Sequence, residues 1–413
     1  MKKTLVTLVL AGSIFFSGCS LITLETNPKT SEPEETVATV ESSAETSSAE
    51  TTKETEKTTE TTAAETSATV SETTAAETTA PSETTVSEQP KTLGKVVVLA
   101  TGGTIAGVGD AGKSAGYKPG TLTAEDLIGA IPELADVAEI EAVQVCNVNS
   151  DDITDTVWIE LANKINELSK DPEIDGFVIT HGTDTMEETA YFLNLTVKTD
   201  KPVVITGSMR PSTSISADGP MNLYESVCVA ASRDAVGKGV LVVFSDLIFS
   251  ARTVTKTSTY DVMAISARET GACGVVRDGA VYFYEQSVKR HTTDTEFDVS
   301  SISSLPKVSV VYFSVDMDPE ILKYAAEHSD GIVIAGAGAG EFSEGYIEVI
   351  KDLKIPVVIS SRIGDGIIIP ANLLVEGTIA ADNLPPQKAA VLLRLALTKT
   401  KDAGKIQDMF FEY

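Results

Sequence analysis

The chain has 413 residues and a formal charge of −28, from 60 acidic residues against 32 basic ones. That balance excludes a nucleic-acid partner, because holding a phosphate backbone takes a basic stripe. The length leaves room for two or three domains.

In chain order, residues 1–18 read as a targeting segment. Lys2 and Lys3 precede an apolar run over 5–16 that is too short to remain in a bilayer as a spanning helix. Phe16-Ser17-Gly18-Cys19 has the form of a lipobox. Cys19 is therefore expected to carry lipid, to become the mature N-terminus and to anchor the chain outside the cytoplasm, on the cell membrane. Residues 19–93 are dominated by Ser, Thr and Glu, with near-repeats such as Thr61-Thr62-Ala63-Ala64-Glu65-Thr66 and Thr73-Thr74-Ala75-Ala76-Glu77-Thr78. Such a stretch buries too little apolar surface to offset its chain entropy, so a disordered tether is expected. With Cys19 lipidated, Cys146, Cys228 and Cys273 remain, an odd number that argues against a disulfide framework. Cys146 and Cys228 read as small core residues.

From residue 94 strands alternate with helices. Apolar runs at 95–100, 141–145, 176–180, 202–206 and 239–245 predict buried strands. Val157, Leu161, Ile165 and Leu168 mark one helical face, with Asp155 as N-cap, and helices are expected at 187–195 and 222–231. Asp278-Gly279 predicts a hairpin turn within 275–284. A connector covers 291–306. A second α/β unit fills 307–413, with strands at 308–313, 331–335 and 356–360, helices at 319–327 and 345–353, and a last helix at 387–398. This order predicts a large N-terminal domain (94–290), built on a mostly parallel sheet with helices on both faces. A smaller C-terminal α/β domain follows.

Two segments carry chemistry: Leu99-Ala100-Thr101-Gly102-Gly103-Thr104-Ile105-Ala106-Gly107 and Ile179-Thr180-His181-Gly182-Thr183-Asp184-Thr185. Each directly follows a predicted strand, and ligands in open α/β sheets sit beyond the carboxyl ends of the strands. Glycines let the backbone turn sharply and approach a ligand, while threonines supply nucleophiles and hydrogen-bond donors. Ser150-Asp151-Asp152 and a polar loop with Arg252, Thr255 and Lys256 follow two further strands.

With these segments the chain, from residue 95 onward, resembles the bacterial L-asparaginase family in its exported, type II branch. The resemblance implies hydrolysis of L-asparagine to L-aspartate and ammonia, with no cofactor and no metal. It implies Thr104 as nucleophile, activated by Tyr117 on a glycine-rich lid at 110–121. It also implies a relay of Thr183, Lys256 and Asp184. Ser150 would hold the substrate α-carboxylate, Asp184 would take its ammonium group, and Asp151 stands where Gln or Glu is common. The family assembles as a homotetramer whose sites lie between the N-terminal domain of one subunit and the C-terminal domain of another. From that second subunit it contributes an Asn where Ala339 stands here and a Glu from the loop after 360–362, a loop that here is short and apolar, with Glu376 as the acidic candidate.

Plainer structural roles stand beside these. Thr104 would serve as a helix N-cap, Asp184–Lys256 as an equally buried salt bridge, and Ser150-Asp151 as a turn cap. His181 reads as structural, since neither a Gly-x-Ser-x-Gly elbow nor zinc-ligand spacing accompanies it. Gly336-Ala337-Gly338-Ala339-Gly340 lacks the Lys-Ser/Thr ending of a phosphate loop. Two other functions fit the sequence: a glutaminase-asparaginase of broader specificity, and a lipid-anchored amino-acid-binding protein.

Overall fold

β1 (Gly94–Gly102) shows how this chain builds its core. Alternate side chains of a strand point to opposite faces, and here both sets are apolar. Val97 and Leu99 enter one buried cluster, while Val96 and Val98 enter another. A strand apolar on both faces belongs in the middle of a sheet covered on both sides. The computed structural model describes residues 94–113 and 116–413. The expected signal segment, Cys19 and the tether lie outside the described residues.

After β1 come α1 (Ala124–Gly129), β2 (Ala138–Val148), α2 (Asp155–Leu168), β3 (Ile174–Thr180), α3 (Met186–Thr196), β4 (Val203–Thr206), α4 (Gly219–Ala230), β5 (Val240–Phe244) and β6 (Leu247–Ser250). A short ribbon of β7 (Thr255–Lys256) and β8 (Ile265–Ser266) precedes the hairpin β9 (Gly274–Arg277) and β10 (Ala280–Phe283). The large sheet runs β10-β9-β6-β5-β4-β3-β1-β2. The five strands from β5 to β2 are parallel, and β6, β9 and β10 add an antiparallel edge. Helices α2 and α3 pack on one face through Trp158, Leu161, Ile165 and Phe192, and α4 covers the other through Leu223 and Val227.

The C-terminal part has a parallel sheet in the order β11 (Val308–Tyr312), β12 (Gly331–Gly336), β13 (Val357–Ser361) and β14 (Ile379–Ala380). Its helices are α5 (Glu320–His328), α6 (Glu344–Asp352), α7 (Pro386–Leu397) and α8 (Ala403–Glu412). Leu392 and Leu395 of α7 and Phe410 of α8 share one buried cluster with β1 and α3, so this helical layer is continuous with the core of the large sheet.

The structure corrects several local expectations. Asp155 is the first residue inside α2, and Thr154 stands at the N-cap position. The Asp155 carboxylate instead accepts from the Leu305 N–H at 2.9 Å and from Arg394 Nη2 at 3.0 Å, a tertiary use that outcompetes local capping. Residue 398 does not end the last helix, because α8 follows with Asp402 accepting from the Lys405 N–H. Cys146 is half-buried, while Cys228 is buried. The Gly336–Gly340 run closes on itself. Ala337 N donates to Glu341 O, and both Gly340 N and Glu341 N donate to Ala337 O. Glu376 precedes β14, at the amino end of the small parallel sheet and away from its carboxyl edge.

Candidate active site

Gly102 and Gly103 end β1 at φ +109° and +80°, values that favour glycine. A side chain at Gly103 would place its Cβ 2.3 Å from Gly182 N, so the two motif loops touch backbone to backbone. Thr104 opens a single 3-10 turn after this bend, and Gly103 occupies the cap position, so the plainer capping role does not fall to Thr104. The Thr104 hydroxyl is instead 2.8 Å from the Tyr117 hydroxyl. Tyr117 lies next to an antiparallel bridge between Val108 and Lys118; a Cβ at Gly107 would fall 2.8 Å from its ring, and one at Gly109 2.9 Å from the Tyr117 Cβ. Ser212 and Thr213 hold the far side of this segment through Gly107 O and Gly109 N.

β3 lies beside β1, with Ala100 opposite Thr180, so the second motif emerges at the same sheet edge. Lys256 Nζ donates to Thr183 Oγ1 at 2.8 Å and to Asp184 Oδ1 at 2.6 Å. The three relay residues therefore meet, but not as an equally buried ion pair. The Lys256 side chain is 16% exposed and that of Asp184 62% exposed. Ser150 is buried, and its hydroxyl has no hydrogen-bond partner. It lies beside Gly182, where an added Cβ would fall 2.7 Å from the Ser150 hydroxyl oxygen. Asp151 is exposed next to it.

The profile of the family Asparaginase, N-terminal, matches residues 95–289, and that of the Glutaminase/Asparaginase C-terminal domain matches residues 307–410. The chain belongs to the asparaginase family. "L-asparaginase 2" of Bacillus subtilis (strain 168) is 47% identical over 335 residues, 79% of this chain and 88% of the relative. "Glutaminase-asparaginase" of Acinetobacter glutaminasificans is 44% identical over 329 residues, 77% of this chain and 99% of the relative. Among solved structures, the "Probable Cytoplasmic L-asparaginase from Campylobacter jejuni" superposes with a TM-score of 0.74 at 46% identity. It covers 78% of this chain and 100% of its own.

In this asparaginase-family chain, His181 works as a strut. Gly182 O can only accept, so His181 Nδ1 carries the proton and donates to it at 2.7 Å. His181 Nε2 is then the acceptor for the Thr189 hydroxyl at 3.0 Å, and Trp158 Nε1 donates to Thr189 Oγ1 at 2.7 Å. Burial lowers the pKa of His181 from 6.5 to about 4. The unfolded imidazole takes up a proton near pH ~6.5, before the folded one does. This contribution to stability is thus complete above that pH and falls as pH drops toward 4, by about 3 kcal/mol in all. Urea unfolding at pH 7 and pH 4.5 should show a smaller acid loss for His181→Gln than for the unaltered chain. Equal losses would show that His181 is not the sensor.

Three residues near the relay were not singled out from the sequence. Glu187 Oε2 accepts from the Lys256 backbone N–H at 2.8 Å, and its other oxygen accepts from Gln387 Nε2. Lys388 is buried with no exposure and donates to Ala251 O at 2.8 Å, to Arg252 O at 3.1 Å and to Val254 O. Burial pulls its pKa down to about 7, and the Glu187 charge acts against that fall. A Lys in an apolar helical stripe is the one cue the sequence offered. An ammonium is that deeply buried only where its hydrogens are matched.

Proposed function

We propose that the chain hydrolyses L-asparagine to L-aspartate and ammonia, with Thr104 as nucleophile. The contact between Thr104 Oγ1 and Tyr117 OH, 2.8 Å, carries this reading, because a threonine hydroxyl is a poor nucleophile until a neighbour takes its proton. The Ser150 hydroxyl receives the substrate α-carboxylate. Asp184 gives Oδ1 to Lys256 and Oδ2 to the substrate ammonium. Thr104 oxygen bonds to the side-chain amide carbon while its proton passes through Tyr117 to the amide nitrogen, which leaves as ammonia. Water, oriented by Thr183 and Lys256, then cleaves the acyl ester, releases aspartate and restores Thr104.

Glutamine turnover is the second reading, favoured by the Acinetobacter relative; Asp151, one methylene shorter than Glu, is the residue expected to alter tolerance for it. Ammonia release by purified protein, with L-asparagine and L-glutamine run in parallel, tests both. Release from neither, with retained binding, would leave an amino-acid-binding protein.

The same proposal includes lipid attachment at Cys19 after removal of residues 1–18, an extracytoplasmic location, a tether over 19–93 and a homotetramer. The composition of 19–93 supports the tether. Tyr312, Val315, Ile363 and Ile367, all at least half exposed, support a face covered by a second copy. Among the described residues no helix is long and apolar enough to cross a membrane. A chain starting at Gly94 should be tetrameric by light scattering and release ammonia as fast as the full chain. Cys19→Ala should leave the membrane fraction or keep its signal segment. A matured Cys19→Ala protein that stayed on the membrane would refute lipidation.

A further inference from the structure

The relay lysine has weak local support. Lys256 sits on β7, a two-residue strand paired only with the two-residue β8, and such ribbons are marginal on their own. Its flexible stem reaches Thr183 Oγ1 and Asp184 Oδ1 only from a backbone placed within range of both. Two contacts from outside the ribbon fix that backbone. The Glu187 carboxylate holds the Lys256 N–H. Lys388 holds the carbonyls of Ala251, Arg252 and Val254, the turn that delivers the chain into β7.

These contacts form one device, because Gln387, the neighbour of Lys388 on α7, bonds the second oxygen of Glu187. We propose that Glu187, Gln387 and Lys388 are positioning residues through which the C-terminal helical layer sets the Lys256 ammonium against Thr183. The proposal rests on the reading that Lys256 serves turnover. Burying an ammonium is costly unless each hydrogen finds an acceptor. Three backbone oxygens in one turn match its three hydrogens. If filling space were the only task at 388, an apolar side chain would do it without that cost. Arg252 braces the same turn from the side. Its Nε donates to Tyr413 O at 2.6 Å, Nη1 to Asn383 Oδ1 at 2.6 Å and Nη2 to Asp382 Oδ2 at 3.0 Å. The turn is thus clamped to α7, to the segment after β14 and to the end of α8. Lys256, two residues beyond Val254, inherits that rigidity.

A misplacement of ~1 Å in a reacting group costs on the order of 10²-fold in rate. In the full chain, Lys388→Met should lower kcat by about 10²-fold and Gln387→Ala by about 10-fold, with KM for L-asparagine changed less than about 3-fold. A purely structural role would also lower Tm, so a double-mutant cycle decides. In a Lys256→Met background the same substitutions should change the residual turnover less than about 2-fold, because there is no ammonium left to place. Equal factors in both backgrounds, or unchanged kcat in the single variants, would overturn the proposal. If Lys388→Met does not fold, Gln387→Ala and Glu187→Gln carry the test under the same criteria. If Lys256→Met alone keeps full turnover, the relay reading fails, and this proposal falls with it.

Discussion

Thr104→Val should lower the turnover of L-asparagine by ~10³-fold or more while leaving KM and Tm close to those of the unaltered chain. Valine nearly reproduces the shape of threonine, so the buried space around residue 104 stays filled. The substitution removes one oxygen, the atom that forms the covalent bond in the proposed reaction. The Thr104 hydroxyl contacts the Tyr117 hydroxyl, and Tyr117 is only half-buried, so water can replace the lost contact. Substrate binding relies on other groups, the Ser150 hydroxyl and the Asp184 carboxylate. Steady-state ammonia release with a thermal melt on the same sample reads both quantities. Near-normal release by a folded Thr104→Val protein would remove Thr104 from the chemistry.

Lys256→Met should reduce turnover by about 10²-fold or more with little loss of stability. The stem is kept and the charge is deleted. A lone buried carboxylate would cost several kcal/mol, but Asp184 is 62% exposed and stays hydrated after its partner is gone. The expected change in stability is therefore small, about 1 kcal/mol, because the charge left behind is the exposed one. Loss of stability with normal ammonia release would instead make the Lys256–Asp184 contact a structural salt bridge. Glu187 bonds the backbone of residue 256, which this substitution leaves in place, so the activity loss would report the ammonium itself.

Particular elements show how far the sequence could be read. The strands ending at Gly102 and Thr180 were legible because runs apolar on both faces have one stable setting, the middle of a covered sheet. Gly102 and Gly103 were legible as a bend, and they adopt left-handed φ values that other residues avoid. Asp278-Gly279 gave the β9–β10 hairpin, with both residues at positive φ. The signal for α8 is also present in the sequence beyond residue 398, where no helix is expected. Asp402 caps α8, and Ile406, Met409 and Phe410 follow at helical spacing.

The sequence by itself thus determined the strands, the turns and the two loops that carry the chemistry, because periodicity and turn preference act over a few residues. Tertiary structure alone decided the partners. It spent Asp155 on Arg394 rather than on its own helix. It left Asp184 exposed in its pair with Lys256, where equal burial was expected. It brought Lys388 to the turn before Lys256 across 134 to 137 residues. A buried polar group is settled by whichever acceptor or donor the folded layers bring within about 3 Å, and no pattern confined to one stretch of chain encodes which one that is.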